Sequence, residues 1–251
     1  MRAPLVELNS GQVHVWTASL SQAKCEIKEL AEVLSPDERS RANRFLFDRD
    51  RERFTIARGV LRRLLAQYAD LSPQHLQFRY GKHGKPRLHA DDTTALEFNL
   101  SHAGDWAVYA LTTECPVGID IEQIRPANKY HRLKLARRFF SESEFITLAA
   151  QPETNVERAF FACWTRKEAY IKLHGRGLSL PLARFSVNVE PDDPARLMAT
   201  PWLPEDLGLT QMHDLPVVAG YRAALALSMN DCPMIRRFDW PTDFKDQMTL
   251  G

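Results

Sequence analysis

Residues 117 to 122 read Val-Gly-Ile-Asp-Ile-Glu, and this strict alternation constrains the chain more than any other stretch. In an extended strand successive side chains take opposite faces. Val117, Ile119 and Ile121 then demand a core on one side, while Asp120 and Glu122 share the other. Two neighbouring carboxylates repel unless a cation, a proton or a basic group lies between them. Hard divalent cations take such oxygen ligands, and magnesium usually completes its shell with water and substrate phosphates. Taken alone, the pattern reads first as a half-buried strand with an acidic outer face.

The rest of the chain supplies partners for that strand. Gln12 to Trp16 predicts a short strand, and Ile27, Leu30, Ala31 and Leu34 fall at helical spacing. Ser35-Pro36-Asp37-Glu38 has the form of a helix start, with Ser35 and Glu38 as a capping box and Pro36 at the first helical position. Phe54, Ala57, Leu61, Leu64 and Tyr68 predict a further helix. Strands are expected at Leu76–Tyr80, Phe98–Leu100, Trp106–Leu111 and Val117–Glu122. Ser141 and Glu144 form a second capping box, and a long helix is expected from Val156 to Leu173, ending at Gly175. Phe185–Val189 and Tyr221–Met229 complete the expected strands. Helices and strands alternate in two blocks, which predicts an α/β or α+β fold with two halves, residues 1–112 and 113–251.

With 251 residues the chain can fill one large core or two smaller ones, and its 44% hydrophobic content argues against disorder. No apolar h-region follows Met1-Arg2-Ala3-Pro4, and no apolar run approaches the ~18 residues of a membrane span. The expected location is therefore the cytoplasm, with no membrane partner. Cys25, Cys115, Cys163 and Cys232 are scattered without a CxxC pair, which disfavours zinc or redox chemistry. Net charge is +1, but bases cluster: nine arginines against five acids from Asp37 to Arg63, then Arg79, Lys82, Lys85 and Arg87, then Lys129, Arg132, Lys134, Arg137 and Arg138. Balanced chains with local basic patches often bind discrete anions, although such clusters also serve as salt-bridged helix faces.

Three further segments carry possible chemistry. On a helix, Trp164, Glu168 and Lys172 share one face. Glu168 and Lys172 form either a surface pair of ~0.3–0.5 kcal/mol or a working pair of metal ligand or base with anion stabiliser or acid. In Lys82-His83-Gly84-Lys85-Pro86-Arg87, glycine permits close backbone approach and lysines add positive charge, as a phosphate or adenine loop or a basic hairpin turn would have it. Asn99, Ser101 and His102 at a strand end can hydrogen-bond phosphate oxygens, although a lone histidine is more often structural. Together the four segments suit charge neutralisation of a pyrophosphate during displacement.

In order along the chain, GKHGKPRL, FNLSHAGDWAV, VGIDIEQIRP and FFACWTRKEAYIKLHGRGLSL resemble the successive motifs of the 4'-phosphopantetheinyl transferase family, in its Sfp-like branch of long, monomeric members. The matched stretch runs from about Ser35 to Val189. The resemblance implies transfer of the 4'-phosphopantetheine arm of coenzyme A to a serine of an apo acyl or peptidyl carrier protein. It implies Mg²⁺ dependence and release of adenosine 3',5'-bisphosphate, in fatty-acid, polyketide or nonribosomal peptide biosynthesis. It also implies a pseudo-dimer of two similar half-domains with the active site between them.

Carried over by position, Asp120, Glu122 and Glu168 would bind Mg²⁺, with Glu168 the general base for the carrier serine and Lys172 the stabiliser of the departing phosphate; Asp120, Glu168 and Lys172 are the implied catalytic set. Ser101 and His102 would contact phosphates, Lys82, Gly84, Lys85 and Pro86 would line the nucleotide pocket, and Arg41 would meet the 3'-phosphate. Glu38 stands where some relatives carry a second basic residue. The basic stretch Lys129–Phe140, if not simply a helix packed on the core, is a candidate dock for an acidic carrier. Two other readings are a metal-dependent nuclease, disfavoured by the helical spacing of Glu168 and Lys172, and an arginine-rich nucleic-acid module, weakened by the near-zero net charge.

Overall fold

The computed structural model describes residues 7–89, 96–113, 115–242 and 244. The chain runs β1 (Gln12–Ser19), α1 (Ile27–Glu32), α2 (Pro36–Ala42), α3 (Asp48–Ala69), β2 (Phe78–Tyr80), β3 (Pro86–Leu88), β4 (Leu96–Ala103), β5 (Trp106–Thr113) and β6 (Val117–Gln123). It continues with α4 (Lys129–Phe139), α5 (Glu142–Ala150), α6 (Glu153–His174), β7 (Ser186–Val187), β8 (Leu197–Ala199), α7 (Asp206–Leu209), β9 (Thr210–Leu215), β10 (Tyr221–Ser228) and β11 (Met234–Trp240). This is the mixed helix and sheet architecture expected.

Local chemistry sets the helix ends. Glu38 Oε2 accepts the Ser35 backbone N–H (3.0 Å) at the start of α2. In the same way Glu144 Oε2 accepts the Ser141 N–H (2.7 Å) at α5. Helix α6 stops at Gly175, whose φ of 61° is left-handed.

Among the described residues the two larger sheets have strand orders β11-β1-β5-β4 and β6-β10-β9, and β2-β3 and β7-β8 form two-stranded sheets. Alternation along their strands builds layers. Trp16, Ala18, Ala107, Tyr109 and Leu111 of the first sheet pack under Leu61, Leu64 and Leu65 of α3. On its opposite face, Val13, Val15, Val108 and Ala110 meet Val117, Ile119, Ile121, Ala223, Leu225 and Leu227 of the second sheet. Ala224 and Ala226 of β10 join the core beneath α6. The apolar side of the Val-Gly-Ile-Asp-Ile-Glu strand therefore faces the other sheet, and its carboxylate side faces α6. A bond from the Ile119 N–H to Asn99 Oδ1 (3.0 Å) stitches β6 to β4.

Several strands differ from expectation. The Leu76–Tyr80 strand begins only at Phe78, because Leu76 is buried in the core and its carbonyl accepts from Arg62 Nη1 (3.1 Å). Phe98–Leu100 lengthens to Leu96–Ala103 through full antiparallel pairing with β5. Strands β9 and β11 carry weak periodic signals. In β11 only Trp240 is buried, and the strand forms by parallel pairing with β1 at the sheet edge. The last described strand thus rejoins the sheet that opens the chain.

Candidate active site

Helix α6 passes unusually close to β6, and a glycine makes that possible. A Cβ on Gly118 would collide with the Ala169 carbonyl and the Leu173 amide. The close crossing brings Lys172, in the last turn of α6, onto β6. Its Nζ donates to Asp120 Oδ1 (2.6 Å) and to Ser101 Oγ of β4 (2.7 Å). The Ser101 hydroxyl in turn donates to Asp120 Oδ1 (2.9 Å). Three elements thus converge on one carboxylate, whose other oxygen, Oδ2, is buried with no hydrogen-bond partner among the described residues.

Around this triad the carboxylates are in electrostatic conflict. Glu122 is pushed up to about 7, first by burial and then by the charge of Asp120, while Lys172 and a hydrogen bond from Trp164 oppose the rise. Glu168 is likewise raised by burial and by Asp120. Three carboxylates share one ammonium, so the group is short of positive charge. Among the described residues no three acidic, histidine or cysteine side chains stand close enough to form a ready-made metal cage. The donor set, with its unpartnered Asp120 oxygen, instead fits a hard cation whose shell is completed by water and phosphate oxygens.

Beside the triad lies a cavity of about 320 Å³ lined by Arg41, Phe54, Arg58, Tyr80, Gly84, Pro86, Ser101, His102 and Lys172. It adjoins a second of about 200 Å³, and Gly84, Pro86, Leu100 and Lys172 line both. Gly84, at φ 86°, presents bare backbone to this space. The imidazole of His102 is held below its ordinary range, first by the desolvating walls and then by Lys172, Arg53 and Arg41. A cavity walled by Lys172, Arg41 and Arg58, with Arg53 close by, suits a multiply charged anion.

Most of the sequence-derived residues converge on this cleft. Lys82 does not: it is exposed on the loop and lines neither cavity. The side chain of Lys85 lines the smaller cavity, but its ammonium is buried and donates to the carbonyls of Val117 (2.8 Å) and Leu173 (3.0 Å). Glu38 does not line the anion cavity and lies buried between Arg58 and Arg62 of α3, with Arg62 Nε at 2.5 Å. Arg58 then donates to the Tyr80 hydroxyl (2.8 Å) and stacks on Phe78 (4.1 Å), which builds the cavity wall. Sequence reasoning missed Arg53, Phe54, Arg58 and Tyr80 as site residues. The available signal was Arg58 and Arg62, four residues apart within an apolar helix stripe.

Residues 15–114 match the family model described as 4'-phosphopantetheinyl transferase, N-terminal, and residues 116–226 match that of the 4'-phosphopantetheinyl transferase superfamily. The 4'-phosphopantetheinyl transferase HetI of Nostoc is 38% identical over 201 residues, 80% of this chain and 84% of that protein. This chain belongs to the 4'-phosphopantetheinyl transferase superfamily. Another relative in that superfamily, the transferase Sfp of Bacillus subtilis, is 31% identical over 200 residues, again 80% of this chain and 84% of the relative. A holo-[acyl-carrier-protein] synthase structure from Thermotoga maritima covers 46% of this chain and 64% of its own, at 21% identity and a TM-score of 0.34. Between them the two superfamily models span every strand and helix that contributes to the cleft, and β11 lies beyond them.

Proposed function

We propose that this phosphopantetheinyl transferase moves the 4'-phosphopantetheine arm of coenzyme A to a serine hydroxyl of an apo acyl or peptidyl carrier protein, with Mg²⁺, and releases adenosine 3',5'-bisphosphate. The observation that carries the reading is the convergence of Ser101, Asp120 and Lys172 beside a cation-walled cavity. Residues 1–112 supply most of the nucleotide cavity, and residues 113–251 supply the carboxylate strand and the catalytic helix.

Asp120, Glu122 and Glu168 hold the cation in this reading; when bound, Mg²⁺ offsets the charge of the pyrophosphate and relieves the repulsion among the three carboxylates. Arg41, with Arg53 and His102, faces the 3'-phosphate. Gly84 and Pro86 border the nucleotide, and Lys85 ties that loop to α6 from beneath. The serine oxygen attacks the β-phosphorus, and the bond from that phosphorus to the bridging oxygen of the bisphosphate breaks. Glu168, one turn of α6 before Lys172, takes the hydroxyl proton. Lys172 stabilises the departing phosphate. The four cysteines are all free, which suits the reducing cytoplasm, and a monomer follows from the Sfp-like branch.

The other readings find less support. Glu168 and Lys172 lie on a helix, and two arginines of the basic segment are buried in an ion pair. No helix of the described residues is long and apolar enough to cross a membrane. The test is intact mass of an apo carrier protein incubated with the enzyme, coenzyme A and Mg²⁺. A gain of roughly 340 Da, lost with a chelator and in Glu168→Gln, is expected; a carrier of unchanged mass across several acceptors overturns the reading.

A further inference from the structure

The two faces of α6 are held in different ways. Trp164, Glu168 and Lys172 follow one another at four-residue spacing on the face toward the cleft, and Arg166, Tyr170 and His174 do the same about half a turn away. Every member of the second row meets the chain beyond β7. Arg166 Nη1 donates to the carbonyls of Asn188 (2.8 Å) and Glu190 (3.0 Å), and its Nη2 to Asp214 Oδ2 (2.5 Å). Tyr170 is wholly buried; its hydroxyl donates to Asp206 Oδ2 (2.6 Å) and lies 3.0 Å from Thr200 Oγ1. His174 Nε2 stands 2.7 Å from the same Asp206 oxygen, out of line for a hydrogen bond, and its ring packs on Tyr170 (4.7 Å) and Trp202 (5.0 Å).

Asp206 is itself buried and opens α7, 36 residues beyond Tyr170. On the cleft side the last turn of α6 is held through Lys172, whose ammonium bonds Asp120 and Ser101. Those bonds are given up when the ammonium turns to a departing phosphate, and a helix end frays unless other contacts fix it. Lys85 holds one carbonyl of the turn, that of Leu173 (3.0 Å). A single point leaves rotation about the helix axis free, and the side-chain contacts with Asp206 on the opposite face supply the second point.

We propose that Asp206 is a positioning residue for the transfer reaction: through Tyr170 and His174 it fixes the last turn of α6, so that Lys172 keeps its reach to the reacting phosphate. This rests on the reading of Lys172 as the group that stabilises that phosphate. Asp206 lines neither cavity of the cleft, so it acts through the helix and not on the substrate. Misplacing a catalytic group by about 1 Å can cost on the order of 10²-fold in rate.

The test compares Asp206→Ala, Asp206→Asn and Tyr170→Phe with wild type and with Leu64→Ala, a core change on α3 that lowers Tm far from the cleft. All are assayed well below their melting temperatures. Asp206→Ala and Tyr170→Phe are expected to lower kcat about tenfold or more, while the KM for coenzyme A and its Kd by calorimetry stay within about twofold. Asparagine keeps an oxygen that accepts from Tyr170, so Asp206→Asn is expected to restore kcat to within about threefold of wild type. Leu64→Ala is expected to lose stability with kcat within about twofold. A kcat unmoved in both Asp206→Ala and Tyr170→Phe overturns the positioning role while the transfer reaction stands. So does a kcat that falls in step with Tm across all variants or with coenzyme A affinity, or an Asp206→Asn protein as slow as Asp206→Ala. Should Asp206→Ala fail to fold, Tyr170→Phe decides by the same criteria. A wild-type protein that binds coenzyme A but loads no carrier overturns the transfer reaction, and the positioning role with it.

Discussion

Replacing Glu38 by glutamine removes the carboxylate that lies between two buried guanidinium groups while keeping the side chain's shape. Glu38 is 2% exposed, with Arg58 at 8% and Arg62 at 1%. Arg62 Nη1 also donates to the Pro73 and Leu76 carbonyls, so it cannot swing into solvent without stripping both. Breaking a buried pair by removing one partner costs about 3–5 kcal/mol, because the remaining charge is left uncompensated. For a chain of this size each kcal/mol moves Tm by roughly 2–4 °C, which gives a drop of about 6–20 °C at neutral pH. The pH dependence has a fixed sign. Burial pushes the Glu38 carboxyl up, but Arg58, the Ser35 N–H and Arg62 outweigh it and hold it below the usual carboxylate range. Its stabilisation is therefore present above the unfolded value near 4.5 and is lost as pH falls through the lower folded value. Scanning calorimetry of both proteins from neutral to acid pH reads this directly, and the gap in Tm narrows in acid. A drop under about 3 °C at neutral pH, or a gap constant into strong acid, refutes the argument. The same variant loosens Arg58 and hence the Tyr80 wall of the cavity, so coenzyme A affinity is expected to fall as well.

Gly118→Ala forces a methyl into the Ala169 carbonyl and the Leu173 amide, and a loss of about 4 kcal/mol or more is expected; a soluble variant of near wild-type urea midpoint contradicts it. Glu122, raised to about 7, binds a proton in the folded but not the unfolded state between about 4.5 and 7, so stability falls as pH rises through that window. In Glu122→Gln that slope is expected to flatten, and Mg²⁺ with coenzyme A is expected to flatten it in wild type; parallel pH profiles of the urea midpoint count against the assignment. Lys85→Met leaves the Val117 and Leu173 carbonyls without their donor, at about 1–3 kcal/mol each. Faster amide exchange in the last turn of α6 is the readout, and unchanged exchange removes Lys85 from that role.

Much of the local structure was legible in the sequence because it rests on short-range chemistry. Both capping boxes, the Gly175 stop and the two-faced Val117–Glu122 strand follow from residues within one turn or one strand of each other. The motif residues Ser101, Asp120, Glu168 and Lys172 were likewise marked by their types and spacing. What the tertiary structure decided are contacts between residues far apart in the chain. Glu38 is a helix cap by sequence, but only packing of α2 on α3 makes it the counter-ion of Arg58 and Arg62, 20 and 24 residues on. Glu144 does the same for Lys167, at 2.6 Å and without access to water. Lys85 looked like a nucleotide contact, yet the fold buries its ammonium on carbonyls 32 and 88 residues away. Strand β11 exists through its pairing with β1, since its own sequence carries almost no apolar period. The physical reason is common to all of these. Periodicity and capping are set by geometry within a few residues, whereas a buried charge or an edge strand is stabilised only by a partner that the rest of the fold delivers.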